Sequence, residues 1–501
     1  MSGSPAPVVT RESRARNLER LRSEPFDVLV LGGGINGAGV ARDLALRGSK
    51  VALVEQRHFA SGTSGKNSQL IHGGLRYLKQ LQFHLVRESL RERATLLKLA
   101  PHLVTAQPFL IPMYSWAARW FYGTGLWLYD LLAGAGNIAP HQVLSSAEVG
   151  KVEPALARGG LTHGAIFYDC QIHSARFVLE NIWDASRYGA VVLNYARAQR
   201  QGDGVLVTDT LSGESFPVGA ARLVDATGAW ASGEQLRLVR GSHIVIPRVN
   251  ASENAIAYFE ESGRIVFVIP WGSSRQLSLV GTTDVDHTGG PDDVHISGKE
   301  LEYLTGIVRR LFPSARDIRP ISTFSSLRPL VSSAAGSPTK ASREHRIWTS
   351  EDGVVHIAGG KYTTYRAMSE EAADLISPVR STTASTPLGG NTKERIDELL
   401  APASEEVSHI VRHYGVETPN VLAYLPEVSS PGLTRLELAQ LIYAVEHEMA
   451  QSLADVMFVS TYWGYERNWS RDTLLPFAEE MARRLTWDEK RLKKEISAVA
   501  M

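Results

Sequence analysis

FDVLVLGGGINGAGVARDLALRGSKVALVE, residues 26–55, is the stretch on which the fold turns. Its first six residues are a short β-branched apolar run of the kind buried on both faces in a parallel sheet. A glycine loop follows at once, residues 37–47 carry a helical pattern, and KVALVE at 50–55 reads as a second strand. The loop Gly32-Gly33-Gly34-Ile35-Asn36-Gly37-Ala38-Gly39 contains G-x-G-x-x-G between strand and helix, where a dinucleotide-binding βαβ unit needs it. Gly32 permits the tight turn, Gly34 lets a pyrophosphate approach backbone N–H groups, and Gly37 lets the helix pack close on the strand. The helix N-terminus adds partial positive charge. Glu55 closes the second strand about twenty residues on, where a carboxylate accepts hydrogen bonds from a ribose. Gly32, Gly34, Asn36, Gly37 and Glu55 are therefore the expected contacts of an ADP-bearing cofactor. The fingerprint does not separate NAD from FAD, because both carry that half.

The rest of the chain narrows the choice. Residues 222–230, RLVDATGAW, place a strand before Ala226-Thr227-Gly228. GVVHIAGGKYTTYRAMSEEA, from Gly353, places a strand, a Gly359-Gly360 turn and a helix start. That arrangement is typical of large FAD proteins whose N- and C-terminal segments meet on one cofactor, so FAD is expected. A helix N-terminus aimed at the isoalloxazine would stabilise negative charge on the reduced ring.

At 501 residues the chain exceeds one ordinary core and implies two or three structural units. Hydrophobic residues at 44% and charged residues at 21% indicate neither disorder nor a membrane-spanning class. Lys plus Arg equals Asp plus Glu, 53 each, so nucleic acid is not an expected partner and any anion site must be local. Cys170 is the single cysteine, which excludes an internal disulfide and a Cys-based metal site within the chain; no metal is expected, and a reducing, cytoplasmic setting fits. Residues 1–25 hold five arginines without the apolar core of a secretory signal and are expected to form a frayed, solvated tail. Residues 82–100 read as an amphipathic surface helix, and 191–249 with 264–284 as short strands of a second, mixed or antiparallel sheet. A Ser-, Thr-, Pro- and Gly-rich stretch at 376–392 reads as a linker, followed by helical periodicity. The expected class is α/β: a Rossmann-type FAD-binding domain interleaved with a substrate domain over 26–376, a linker at 377–392, and an α-helical domain over 393–501.

The run Thr63-Ser64 through Ser68, then Leu70-Ile71-His72-Gly73-Gly74-Leu75-Arg76-Tyr77-Leu78, closely resembles flavin-dependent sn-glycerol-3-phosphate dehydrogenases of the respiratory, quinone-linked kind. So do Gly241-Ser242-His243-Ile244-Val245, Val268-Ile269-Pro270-Trp271, Gly281-Thr282-Thr283-Asp284, Leu327-Arg328-Pro329-Leu330 and Gly359-Gly360-Lys361-Tyr362-Thr363-Thr364-Tyr365-Arg366. A weaker echo follows in Val445-Glu446-His447-Glu448. The resemblance implies oxidation of the C2 hydroxyl of glycerol 3-phosphate to dihydroxyacetone phosphate, with hydride passing to flavin N5 and electrons to a quinone. It implies cofactor contacts from Thr63, Ser64, Ser68, His72, Gly73, Gly74, Ala226, Thr227, Gly228, Gly359, Gly360, Lys361, Tyr362 and Thr363.

A phosphate dianion needs fixed cations, and Arg76, Arg328, Arg343 and Lys361 stand in or beside the matching motifs, with Tyr77 and Thr364 as neutral donors. A base must take the hydroxyl proton as hydride leaves. His243 is the first choice because imidazole titrates near neutrality; Lys361 or a water are alternatives, and a satisfied core histidine is the bland reading of its SHIV run. His243, Arg328 and Lys361 thus form the expected catalytic set. The chain departs from the family pattern in three places. Gln69 stands where a lysine usually precedes Leu-Ile-His, His173-Ser174 replaces an acidic pair and offers Ser174 as a helix N-cap, and an expected arginine pair before a threonine is missing around Phe458-Val459-Ser460-Thr461.

Residues 109–132, FLIPMYSWAARWFYGTGLWLYDLL, concentrate Trp and Tyr around one Arg and one Asp, with Gly and Pro that argue against a spanning helix. An interfacial element and a buried helical hairpin both fit. Partners expected are the substrate, a quinone, a membrane surface on the inner face of the cell and a second copy of the chain. Rival functions are a glycerol-3-phosphate oxidase using oxygen and a non-catalytic flavin-binding protein of the same fold.

Overall fold

The computed structural model describes residues 10–78, 81–202, 204–231, 236–260, 262–331, 345–426 and 431–500, with Arg76 described in its backbone only. Among these residues the strands form three sheets. The strand Phe26–Leu31 lies at the heart of the first, parallel to Val51–Val54 on one side and Ala220–Asp225 on the other. Val28, Leu29 and Val30 are all fully buried, which is why the run is continuously apolar and does not alternate. Six strands complete this sheet, in the order His345–Thr349, Val355–Gly359, Ala220–Asp225, Phe26–Leu31, Val51–Val54, Val191–Leu193. His345–Thr349 alone runs antiparallel to its neighbour. The helix Ile35–Leu46 buries ten of its twelve residues and packs against the helices Ser174–Arg187 and Tyr365–Asp374.

The second sheet is ten-stranded and mixed, so the expected second sheet is present. Its long strand Leu236–Pro247 pairs antiparallel with Leu277–Gly281 and with Ser322–Val331. Thr105–Met113 pairs antiparallel with His163–Gln171 and parallel with Ala255–Phe259. Strand alternation sorts the side chains. Ile244, Ile246, Val268 and Val280 pack beneath the helix Gly298–Leu311, while His243 and Phe267 point the other way, into a cavity between the two sheets. A three-stranded antiparallel ribbon, Ala196–Gln201, Gly204–Asp209 and Ser215–Val218, flanks the first sheet.

The C-terminal helices, from Lys393–Leu400 to Glu489–Val499, build their own core around Trp469, Phe477, Met481, Leu441 and Leu453. The segment 377–392 before them is not a free tether. Ser381 Oγ and Thr383 Oγ1 donate to Asp43 Oδ2, Arg42 donates to Thr386 O, and Arg47 donates to Ser377 O and Val379 O. The small polar residues that read as a linker are its anchors. The tail expectation also needs correction: Arg11–Ser23 is a helix opened by a Thr10–Ser13 capping box. Leu21 is fully buried, and Arg14 donates to Asp209 Oδ1 at 2.8 Å and to Asn194 O at 3.0 Å, so the arginines that suggested solvation include a tertiary anchor.

The expected helix at 82–100 is Phe83–Leu99, and its inner face carries Glu92 and Arg93, both buried in ion pairs with Arg366 and Asp169. Residues 116–133 make one helix, Trp116–Ala133, and not a hairpin. Ser115 caps it, Leu126 and Tyr129 face the core, and most of its aromatics face outward. Among the described residues no helix is long and apolar enough to cross a membrane.

Candidate active site

The cavity has a volume of about 470 Å³ and runs from the glycine turn to the second sheet. At the turn, Gly32 adopts φ +104°, and a Cβ there would sit 2.7 Å from Ala226 O. A Cβ on Gly37 would lie 1.9 Å from Gly32 O, so the helix rests directly on the turn. Gly33 N–H donates to Glu55 Oε2 at 2.7 Å and Arg57 N–H to Glu55 Oε1 at 2.9 Å. Glu55 thus ties the turn to the end of its strand and lines the cavity. Burial pushes its carboxyl up, and the backbone N–H groups work against that shift.

Residues 60–69 form a loop whose front lines the cavity. Ser64 Oγ accepts from Ile35 N–H at 2.9 Å at the head of the glycine helix, and Thr63 Oγ1 donates to Leu327 O at 2.6 Å. Ser68 Oγ stands 2.9 Å from His243 Nε2. His243 is buried, stacks on Phe324 at 4.9 Å, and its Nδ1 has no partner among the described residues. Burial, reinforced by the charge of Arg328, lowers its pKa from 6.5 to about 3, so the ring is neutral at pH 7. Because an unpartnered buried N–H is costlier than an unpartnered lone pair, the favoured tautomer donates from Nε2 to Ser68 and keeps the lone pair on Nδ1.

Arg328 is braced before any ligand arrives. Its Nη1 donates to Asp284 Oδ1 at 2.9 Å and Thr283 O at 3.1 Å, and Nη2 to Thr282 Oγ1 at 2.8 Å. Lys361 Nζ lies 3.9 Å over the Tyr77 ring centre and donates to Ser89 Oγ at 3.1 Å. Gly359 and Gly360, at φ +71° and +83°, let the backbone turn beside it. Tyr362 lines the same wall and donates to Ser174 O at 2.6 Å.

Of the residues singled out from sequence, Gly32, Gly34, Asn36, Glu55, Thr63, Ser64, Ser68, His72, Gly74, Tyr77, Ala226, Thr227, Gly228, His243, Arg328, Gly359, Gly360, Lys361 and Tyr362 share this one cavity. Gly37, Gly73, Thr363 and Thr364 are not on its wall. Thr363 Oγ1 accepts from His72 N–H at 3.1 Å, and the Thr364 hydroxyl turns to Lys361 O and Met368 Sδ. Arg343 and the side chain of Arg76 lie outside the described residues. Gln69 faces away from the cavity, and the cap of Ser174–Arg187 is His173, whose Nδ1 accepts from Arg176 N–H, not Ser174. Ser174 is already the first helical residue, and Gln69 Oε1 accepts its N–H.

Two parts of the site escaped the sequence. One is an aromatic wall from the second sheet, where Phe109 meets Phe167 at 5.3 Å and Phe267 at 5.7 Å. The other lies under Gly73: a single oxygen of Asp169 accepts from Gly73 N–H, Tyr129 Oη and Arg93 Nη1 at 3.1, 2.7 and 2.8 Å. Lone charges in the apolar strand HGAIFYDCQ and on the inner face of FHLVRESLRERATLLKL were the available signal.

Comparison with known proteins agrees with this architecture. The profile of FAD dependent oxidoreductases matches residues 27–413, and that of the C-terminal domain of alpha-glycerophosphate oxidase matches 381–492. The chain is 36% identical to glycerol-3-phosphate dehydrogenase 2 of Mycobacterium tuberculosis, across 91% of this chain and 84% of that one. It is also 36% identical to the glycerol-3-phosphate dehydrogenase of Synechocystis, across 88% and 89%. The crystal structure of the Bacillus halodurans glycerol-3-phosphate dehydrogenase complexed with FAD superposes with a TM-score of 0.79 at 26% identity, covering 98% of this chain and 97% of that one.

Proposed function

Because the chain belongs to the family of FAD-dependent glycerol-3-phosphate dehydrogenases, we propose that its cavity binds FAD and sn-glycerol 3-phosphate and that it oxidises the C2 hydroxyl to give dihydroxyacetone phosphate. The observation that carries this reading is one wall on which the nucleotide turn meets a neutral buried imidazole and two fixed cations, Arg328 and Lys361. FAD fits the residues present. Gly34 has no side chain to cap the helix Ile35–Leu46, so apart from Ile35 N–H, which Ser64 Oγ takes, its N-terminus is suited to an anion, and a Cβ on Gly34 would crowd Ser64 Oγ at 3.0 Å.

When bound, FAD supplies the hydride acceptor. Of the residues lining the cavity, Gly32, Gly34, Asn36 and Glu55 would hold its ADP half, and Thr63, Ser64, Ser68, His72, Gly74, Gly359 and Gly360 the remainder. Arg328 and Lys361 bind the substrate phosphate. Asp284 and Thr282 orient the Arg328 fork in advance, which cuts the ordering cost of binding. His243, unprotonated and held through Nε2 by Ser68 on the cavity wall, takes the C2 hydroxyl proton.

Electrons pass to a quinone at the inner face of the cell membrane. The helix Trp116–Ala133 supports this, because Trp116, Trp120, Trp127 and Leu131 form one face and are 62%, 68%, 60% and 62% exposed. Indoles favour the headgroup boundary. The inner face of the same helix places Tyr129 Oη 2.9 Å from Gly73 N.

Anaerobic addition of glycerol 3-phosphate to the purified flavoprotein tests the reading. The yellow band is expected to bleach, and re-oxidation to reduce ubiquinone with little hydrogen peroxide. A band that persists sinks the dehydrogenase assignment, and stoichiometric peroxide sinks the quinone.

A further inference from the structure

The back of the loop 60–69 is held by the C-terminal helices, chiefly through one residue. Tyr462 follows a π-helical turn, Val456–Ser460, and sits at φ +68°, in the left-handed region that tyrosine rarely adopts. Its buried hydroxyl lies 2.9 Å from Gly65 O and 3.3 Å from Gln69 Oε1, and it donates to one of them. It accepts from Ala175 N–H at 3.0 Å, with Ser174 Oγ 3.1 Å away. The first three N–H groups of Ser174–Arg187 are thereby closed by three different parts of the chain: Ser174 N–H by Gln69 Oε1, Ala175 N–H by Tyr462, and Arg176 N–H by His173.

The opposite side of this junction is the cavity. Ser68, the neighbour of Gln69, faces forward onto His243 Nε2, and Tyr362 on the cavity wall donates to Ser174 O. Asn67 Nδ2 reaches Ser174 Oγ at 3.1 Å from the loop itself. Gln69, His173-Ser174 and residues 458–461 all lie at this junction. Gln69 and Ser174 hydrogen-bond each other and Tyr462, the His173 ring stacks on Tyr462 at 3.8 Å, and Ser460 O is bonded by His413 Nε2 at 2.7 Å. Gln69 and Ser174 thus meet at a single hydroxyl from the C-terminal helices.

We infer that Tyr462 is a positioning residue: it fixes the loop 60–69 from behind and so sets Ser68 against His243 and the cofactor. The inference rests on the function proposed above for the cavity. Tyr462→Phe in the full-length holoprotein keeps the ring on His173 and deletes the hydroxyl. It is expected to retain FAD, to slow anaerobic flavin reduction by glycerol 3-phosphate about tenfold or more with KM changed less than about threefold, and to shift the visible flavin spectrum. Tyr424→Phe, which removes a hydroxyl bonded to His447 inside the helical domain, should change neither rate nor spectrum. If Tyr462→Phe loses its flavin, Gln69→Leu, which removes the loop's side-chain acceptor for Tyr462 and for Ser174 N–H, must slow flavin reduction and shift the spectrum in the same direction. A wild-type rate and spectrum in Tyr462→Phe, or the same changes in Tyr424→Phe, overturn the inference. If wild type is not reduced by glycerol 3-phosphate at all, the proposed function fails, and the spectral comparison still decides the role of Tyr462.

Discussion

At the scale of single residues, the site depends on groups whose state is set by burial. His243 is unprotonated at neutral pH because a buried imidazolium beside Arg328 is unfavourable; in the proposed mechanism this leaves it free to accept a proton, while the same shift weakens it as a base. His243→Gln should keep FAD and lower kcat by about two to four orders of magnitude, the usual worth of a positioned base. Steady-state rates with a dye acceptor check this, and a variant within threefold of wild type would shift the role to Lys361 or water. In the proposed site Arg328 gives the substrate phosphate charge-assisted hydrogen bonds, each worth about 1.5–3 kcal/mol. Arg328→Ala should therefore raise KM for glycerol 3-phosphate by about 10- to 150-fold and leave bound flavin intact. Loss of flavin instead would remove Arg328 from the phosphate site.

Among elements, the helix Trp116–Ala133 is two-faced: its inner face joins the buried Asp169 network and its outer face is aromatic and solvent-exposed. If that outer face docks on lipid, Trp120→Ser combined with Trp127→Ser should abolish co-sedimentation with phospholipid vesicles and leave dye-linked activity unchanged, since neither side chain lines the cavity. Vesicle binding equal to wild type would place the membrane contact elsewhere. The strap 377–392 shows why composition alone misleads here. Ser, Thr and Pro signal irregular backbone, and the backbone is irregular, yet Asp43, Arg42 and Arg47 hold it to the glycine helix.

For the whole molecule, the seam between the two core-bearing parts contains two more neutral histidines. Burial and the neighbouring Arg176 lower His173 from 6.5 to about 3, and burial with His173 lowers His413 well below 6.5. His409 adds to the same positive surroundings, while Arg176 is itself paired with Glu448 and Glu180. The folded chain keeps these rings unprotonated where the unfolded chain takes up protons. Their stability contribution is therefore complete above pH 6.5 and is lost as pH falls from 6.5 towards 3, by at most about 1.4 kcal/mol per pH unit for each ring. Buried Glu55 and Glu466 shift upward and oppose this trend, so a difference measurement is needed. His173→Asn keeps a helix cap and cannot be protonated. Between pH 7 and pH 5 its melting temperature should fall less than that of wild type; parallel curves would mean His173 takes no part in acid lability.

Much of this was legible in the chain itself. The βαβ unit, its ADP-binding turn and the second sheet follow from patterns that are local, and the polar cavity residues beyond that turn from the resemblance of short motifs to a known family. Strand and helix periods, glycine spacing and short motifs are properties of a few consecutive residues. The face each motif residue presents was not legible. Ser68 and Gln69 are neighbours, yet one meets the cavity and the other the helix Ser174–Arg187, and Thr364 turns inward although its neighbours Lys361 and Tyr362 line the wall. Nor could local pattern find Asp169 beneath Gly73, or Tyr462 against Gly65, a pair 397 residues apart. Such contacts are decided by which surfaces the packed domains bring together, and the buried hydrogen bonds that result exist only once both partners have left water.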